Sequence, residues 1–127
     1  MAGELESIVR RLFDGLAKGD AKMFVTDIAD DAQIIDEISR HWLRGRGKAK
    51  EYARQLTQMA TDVSTDIDEV SETVWGDTGI LTCWIEQDYT LEGERQHISA
   101  PTTIVFRREG GAWKMVLFHS VPLSQEG

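Results

Sequence analysis

The chain has 127 residues, enough for one domain with a real core that needs no disulfide or metal to hold it. Apolar residues make up 41%, which excludes a disordered chain. Its 14 basic and 22 acidic residues give a net charge of −8, which sets it against phosphate backbones and anionic lipid, so neither a nucleic-acid nor a membrane partner is expected. The stretch Met1–Glu6 is acidic and has no apolar core, so it does not read as a signal peptide. No apolar run approaches the ~18 residues of a membrane span, and a cytoplasmic protein is expected. The single cysteine, Cys83, cannot form an internal disulfide, and no Cys/His cluster has metal-ligand spacing.

The first half of the chain is helical. Leu5, Ile8, Leu12 and Leu16, with Val9 and Phe13 beside them, form a stripe at helical spacing, and Gly19 stops a helix over about 3–18. Asp20 caps a short second helix carrying Met23 and Phe24. The β-branched run 32–36 reads as a first strand, with 41–44 returning beside it. After the break at Gly45-Arg46-Gly47, Ala49, Tyr52, Ala53, Leu56, Met59 and Ala60 give a third helix one apolar face. The period then changes. Strands are expected over 66–75, 80–91, 95–108 and 112–121, joined by tight glycine turns. Four strands in sequence make an antiparallel meander, and three preceding helices must cover one of its faces, an α+β architecture in one domain spanning 1–127.

The last strands are apolar on both faces. Val116 and Phe118 are expected to point one way, and Trp113, Met115 and Leu117 the other. One face packs on the helices. The other needs a second partner, and a homodimer through the outer sheet face is the economical answer.

The segments Ala17-Lys18-Gly19-Asp20, Ile28-Ala29-Asp30-Asp31-Ala32, Asp36 and Leu43-Arg44-Gly45 resemble the opening of bacterial ketosteroid isomerases, with Asp36 and Gly45 at the family's spacing. Ala100-Pro101 resembles the family's third long strand, and Gly111 to Ser120 resembles the ending of the SnoaL-like relatives. The resemblance covers nearly the whole chain. It implies a cone-shaped curved sheet under three N-terminal helices, the nuclear-transport-factor-2-like (cystatin-like) α+β roll, around one pocket for a hydrophobic small molecule, without cofactor or metal. This fold hosts unrelated chemistries, so it speaks for architecture more than for reaction.

Carried over residue by residue, the isomerase's general base falls on Asp36. Its two oxyanion donors fall on Leu12 and Thr103, so the base is present and the donors are largely absent. Leu117 and Pro101 stand where related sequences carry a histidine and an arginine, so the anion-binding arginines of the kinase-association relatives are not evident. The same alignment implies inward positions at Asp36, Tyr52, Met59, Thr82, Trp84, Glu86, Thr103, Phe118 and Ser120.

Each candidate has a plainer reading beside it. Asp36 is either a base at the mouth of an apolar cone or a solvated strand-end aspartate. Glu86 is a second pocket acid or a rim carboxylate in water. Trp42 and Trp84 are pocket walls or plain core. His119 alternates onto the outer face and reads as an interface histidine, and Ser120 lacks the partners of a nucleophile. Two functions follow: an enzyme using Asp36 for isomerase- or cyclase-type proton transfer, or a non-catalytic dimeric binding or scaffold module.

Overall fold

A computed structural model describes residues 3–123. The apolar stripe of the first helix, α1 (Glu4–Ala17), is buried along its length, from Leu5 and Val9 to Leu16. No side chain at Gly3 caps its N-terminus. Glu72, 66 residues or more away, accepts the backbone N–H groups of Leu5 and Glu6, each at 3.1 Å. A carboxylate there satisfies two orphan donors and complements the helix dipole. Helix α2 (Ala21–Val25) is capped by Asp20, whose side chain accepts from Met23 N, as the sequence predicts. It packs close to α1 because residue 15 is glycine: a Cβ there would meet the Phe24 backbone nitrogen at 2.8 Å.

The rest of the chain is β1 (Ile28–Asp36), β2 (Leu43–Arg44), α3 (Arg46–Met59), β3 (Ala60–Trp75), β4 (Thr78–Leu91), β5 (Glu94–Glu109) and β6 (Ala112–Ser120). They form a sheet in the order β2-β1-β6-β5-β4-β3. The meander β3 to β6 is antiparallel throughout, while β1 lies parallel to β6. Strand β1 starts at Ile28, four residues before the expected 32, with an irregularity between Ile28 and Gln33. Strand β3 starts at Ala60, six residues before the expected 66. Asp62 and Glu69, at positive φ, interrupt its alternation at two register shifts. Such bulges add bend and twist, which wraps the sheet around the helices.

Burial alternates cleanly on β4 and β5. Leu81, Cys83, Ile85, Gln87 and Tyr89 face the helices, as do Ala100, Thr102, Ile104 and Phe106. Burial pushes the Cys83 thiol up to about 11, helped by the charge of Glu6, so it is a packing group rather than a nucleophile. On β6 the alternation is broken. Val105 pairs with Leu117 and Phe106 with Met115, so Val116 is the extra residue of a bulge. Trp113 and Met115 therefore face the core, with Phe118 and Ser120, and the expected outward placing of Trp113 and Met115 is corrected. Among the described residues no helix is long and apolar enough to cross a membrane.

Candidate functional site

A pocket opens between the helices and the covered sheet face. Leu12, Phe13 and Leu16 of α1, Leu56 of α3, and Ile85, Ile98, Met115 and Phe118 of the sheet supply apolar walls. The rings of Phe13 and Phe118 meet edge to face at 6.2 Å. The free interior is about 40 Å³, while the envelope between the walls, counting its open mouth, is about 570 Å³. A water requires ~10–15 Å³ of such interior, so the closed part holds roughly three waters, the bulk of a single ring.

Asp36 ends β1 beside Ser120, its partner on β6. Its Oδ1 accepts from the backbone N–H of Ile38 at 3.1 Å and of Ser39 at 2.8 Å, which ties the turn after β1. Tyr52, on the buried face of α3, donates its O–H across both carboxylate oxygens, 2.8 Å from Oδ1 and 2.9 Å from Oδ2. Burial first, then the charge of Asp36 and this hydrogen bond, hold the Tyr52 phenol far above its ordinary range, so it remains a neutral donor. Ser120 Oγ lies 2.8 Å from Thr102 Oγ1, which in turn donates to Ala100 O at 3.1 Å. Gln87, nearly buried in the wall, donates Nε2 to Thr65 Oγ1 at 3.0 Å.

The structure thus brings Asp36, Tyr52, Phe118 and Ser120 together around one cavity. It separates the other expected pocket residues. Trp84, Glu86 and Thr103, with Thr82, lie on the opposite face of the sheet, because the apolar set on β4 is the odd-numbered one and register carries that choice into β5. Thr103 therefore cannot converge with Leu12 on one oxygen. Met59, at the end of α3, is half exposed and outside the cavity. Trp42 is on the surface, stacked on His119 at 6.0 Å. Sequence reasoning missed Gln87, Ile85, Ile98 and Met115. The signal for the β4 pair was present, since 81, 83 and 85 are apolar while 82, 86 and 88 are polar.

Glu86 belongs instead to a surface network. Trp84 Nε1 donates to Ser99 Oγ, and Ser99 donates to Glu86 Oε1 at 2.7 Å. His97 bridges two acids, Nδ1 at 2.8 Å from Asp88 and Nε2 at 2.9 Å from Glu86. Both ring nitrogens face acceptors, so only the imidazolium satisfies both contacts. Hydrogen bonding to Asp88, then its charge and the contacts to Glu86, raise the His97 pKa. The contribution is complete below the ordinary imidazole value of about 6.5 and is lost as pH rises through the raised folded value. An NMR titration is expected to show His97 protonated to higher pH than in the Glu86→Gln/Asp88→Asn variant. Identical midpoints would mean the bridge does not hold in solution. Among the described residues no group of three or more His, Cys, Asp or Glu is placed to hold a metal.

Comparison with known proteins agrees with this architecture. An NTF2-like family protein from Streptomyces avermitilis, named as a candidate dehydratase, superposes with TM-score 0.86 at 17% identity, covering 96% of both chains. An NTF2-like superfamily protein from Salmonella enterica gives TM-score 0.84 at 16% identity, over 98% of this chain and 92% of that one. A ketosteroid isomerase-like protein from Erwinia carotovora gives 0.78 at 15%, over 94% of each. Identities this low speak for the fold alone. No curated protein matches the chain. The family model for the SnoaL-like domain matches residues 5–124, nearly the whole sequence, and this makes the chain a member of the SnoaL-like domain family.

Proposed function

We propose that the chain binds a small, largely apolar molecule in this pocket and uses Asp36 as the base in a proton transfer. The observation that carries the reading is the division of labour on one carboxylate. Oδ1 is spent on the turn and on Tyr52, whereas Oδ2 carries only the shared Tyr52 bond and keeps a lone pair, on a residue that lines the cavity. A positioned base in an apolar site contributes roughly 10²–10⁴ in rate. The likeness to a candidate dehydratase and to a ketosteroid isomerase-like protein is compatible with that class. An enolate would meet one donor, Tyr52, already engaged by Asp36, and the interior suits one ring rather than four. Turnover of a 3-oxo-Δ5 steroid is therefore expected to be negligible, and substantial isomerisation would overturn this account of the site.

The test is a thermal-shift screen of single-ring ketones, alcohols, amines and acids, followed by solvent deuterium incorporation into each hit. Ligands that bind the folded state raise its melting temperature. Hits lost in Ile98→Trp, which adds bulk to the cavity wall, together with exchange lost in Asp36→Asn, support the reading. Hits that survive Ile98→Trp would place binding elsewhere. Hits without Asp36-dependent exchange would favour a binding module, for which the use of Oδ1 as a turn cap already gives Asp36 a structural reason to be present.

The reading includes a homodimer. The uncovered sheet face carries Trp84, Pro101, Val105 and Leu117 at its centre, all only half buried within one chain. Asp66, Asp68, Glu86 and Asp88 lie towards the β3–β4 edge of that face, and Arg44 and His119 towards the other. A two-fold axis along the strands would lay the acidic margin of one copy over the Arg44 margin of the next. A cytoplasmic location suits the single buried thiol.

A further inference from the structure

The hydrogen-bonding polarity of the pocket narrows what it binds, on the reading that it is a ligand site. Two carboxylates, Asp36 and Glu37, line it, and no lysine, arginine or histidine does. Tyr52 spends its only O–H on Asp36. The Gln87 amide spends a donor on Thr65, and its carbonyl has no partner among the described residues. Thr102 donates to Ala100 O, so the Ser120–Thr102 contact is completed by the Ser120 hydroxyl, which leaves the Ser120 lone pairs free. Glu37 has no hydrogen bond or ion pair among the described residues, and it is half buried. Burial first, and then the charges of Glu37 and Asp36, raise the Tyr89 phenol above its ordinary value. What remains open to a ligand is the second N–H of Gln87 and a larger set of acceptors around an apolar floor, two of them charged.

We propose that the pocket takes a small single-ring organic cation, a protonated amine whose N–H groups meet Glu37 and whose charge also faces Asp36, while the ring lies between Phe13, Leu56 and Phe118. A carboxylate ligand would be repelled by both acids and would find only the second N–H of Gln87 as a donor. An alcohol brings one donor and no charge, so it leaves Glu37 uncompensated as the ring displaces water. An ammonium brings three donors and offsets the charge.

Isothermal titration at pH 7.5 with three matched probes tests this: cyclohexylmethylamine, cyclohexylmethanol and cyclohexanecarboxylate. The ammonium is expected to bind about tenfold more tightly than the alcohol, with the gap narrowing in high salt, and the carboxylate to show no binding. Glu37→Gln, which spares Asp36, should weaken the ammonium about three- to tenfold without weakening the alcohol, which no longer desolvates an uncompensated charge, so the gap between them narrows. Equal affinities for ammonium and alcohol, a carboxylate that binds as tightly as either, or an ammonium affinity indifferent to Glu37→Gln would each overturn the inference while leaving the pocket as a ligand site. Failure of all three probes, with none displaced by the Ile98→Trp substitution, would remove the ligand site itself and the inference with it.

Discussion

Asp36→Asn is expected to abolish proton exchange on any substrate of this pocket, lowering the rate by about 10²–10⁴ while the fold survives. The fold survives because asparagine keeps the half of the side chain that the structure needs. Its Oδ1 can still accept from Ile38 and Ser39, so the turn at the end of β1 stays tied. What changes is the other half. An amide nitrogen replaces Oδ2, the atom with a lone pair left for a substrate proton, and Tyr52 loses one of its two acceptors. Circular dichroism should be unchanged and binding of a neutral ligand should change little, so the loss falls on turnover. A rate reduced by less than about tenfold would show that another group takes the proton.

Leu117→Glu is expected to convert a dimer into folded monomers. Leu117 sits on the uncovered sheet face, opposite Val105 and beyond the Val116 bulge, so the substitution leaves the core of each chain intact. In a dimer it places two unpaired charges at the contact, and an uncompensated buried charge costs ~3–5 kcal/mol. At ~1.4 kcal/mol per tenfold, the association weakens by at least about 10²-fold. Sedimentation velocity at micromolar concentration reads the result directly. A wild-type monomer would remove the dimer, and a variant that still dimerises would put the contact on another surface.

How far the sequence carried the fold can be argued from a few positions. The α1 stripe was legible because all its apolar residues point one way and nothing interrupts the period. The meander was legible from its glycine turns. The helix-covered face of β4 was legible too, in the apolar residues at 81, 83 and 85, but the aligned resemblance favoured Trp84 and pulled the assignment to the wrong face. A tryptophan that hydrogen-bonds a surface serine carries hydrophobicity without carrying direction. Asp36 was found through the resemblance to the ketosteroid isomerases. Its contact with Tyr52, 16 residues on and across two elements, has no local signature, and neither does the capping of α1 by Glu72. Bulges explain most of the remaining differences. Asp62, Glu69 and Val116 each shift alternation by one, and no composition rule marks them in advance.

The bulge at Val116 also sets how this domain can vary. Upstream of it, odd-numbered residues of β6 serve the interior; downstream, even-numbered ones do. The strand is written in two phases, and Val116 is the spacer between them. Deleting that one residue, without altering any other, would straighten the strand yet leave Phe118 and Ser120 on the cavity wall and His119 outside, because Leu117 would then follow Met115 in regular alternation. The spacer thus absorbs a change of length in the strand as a change of bend, and the chemistry of the pocket and that of the uncovered face stay on their own sides of the sheet.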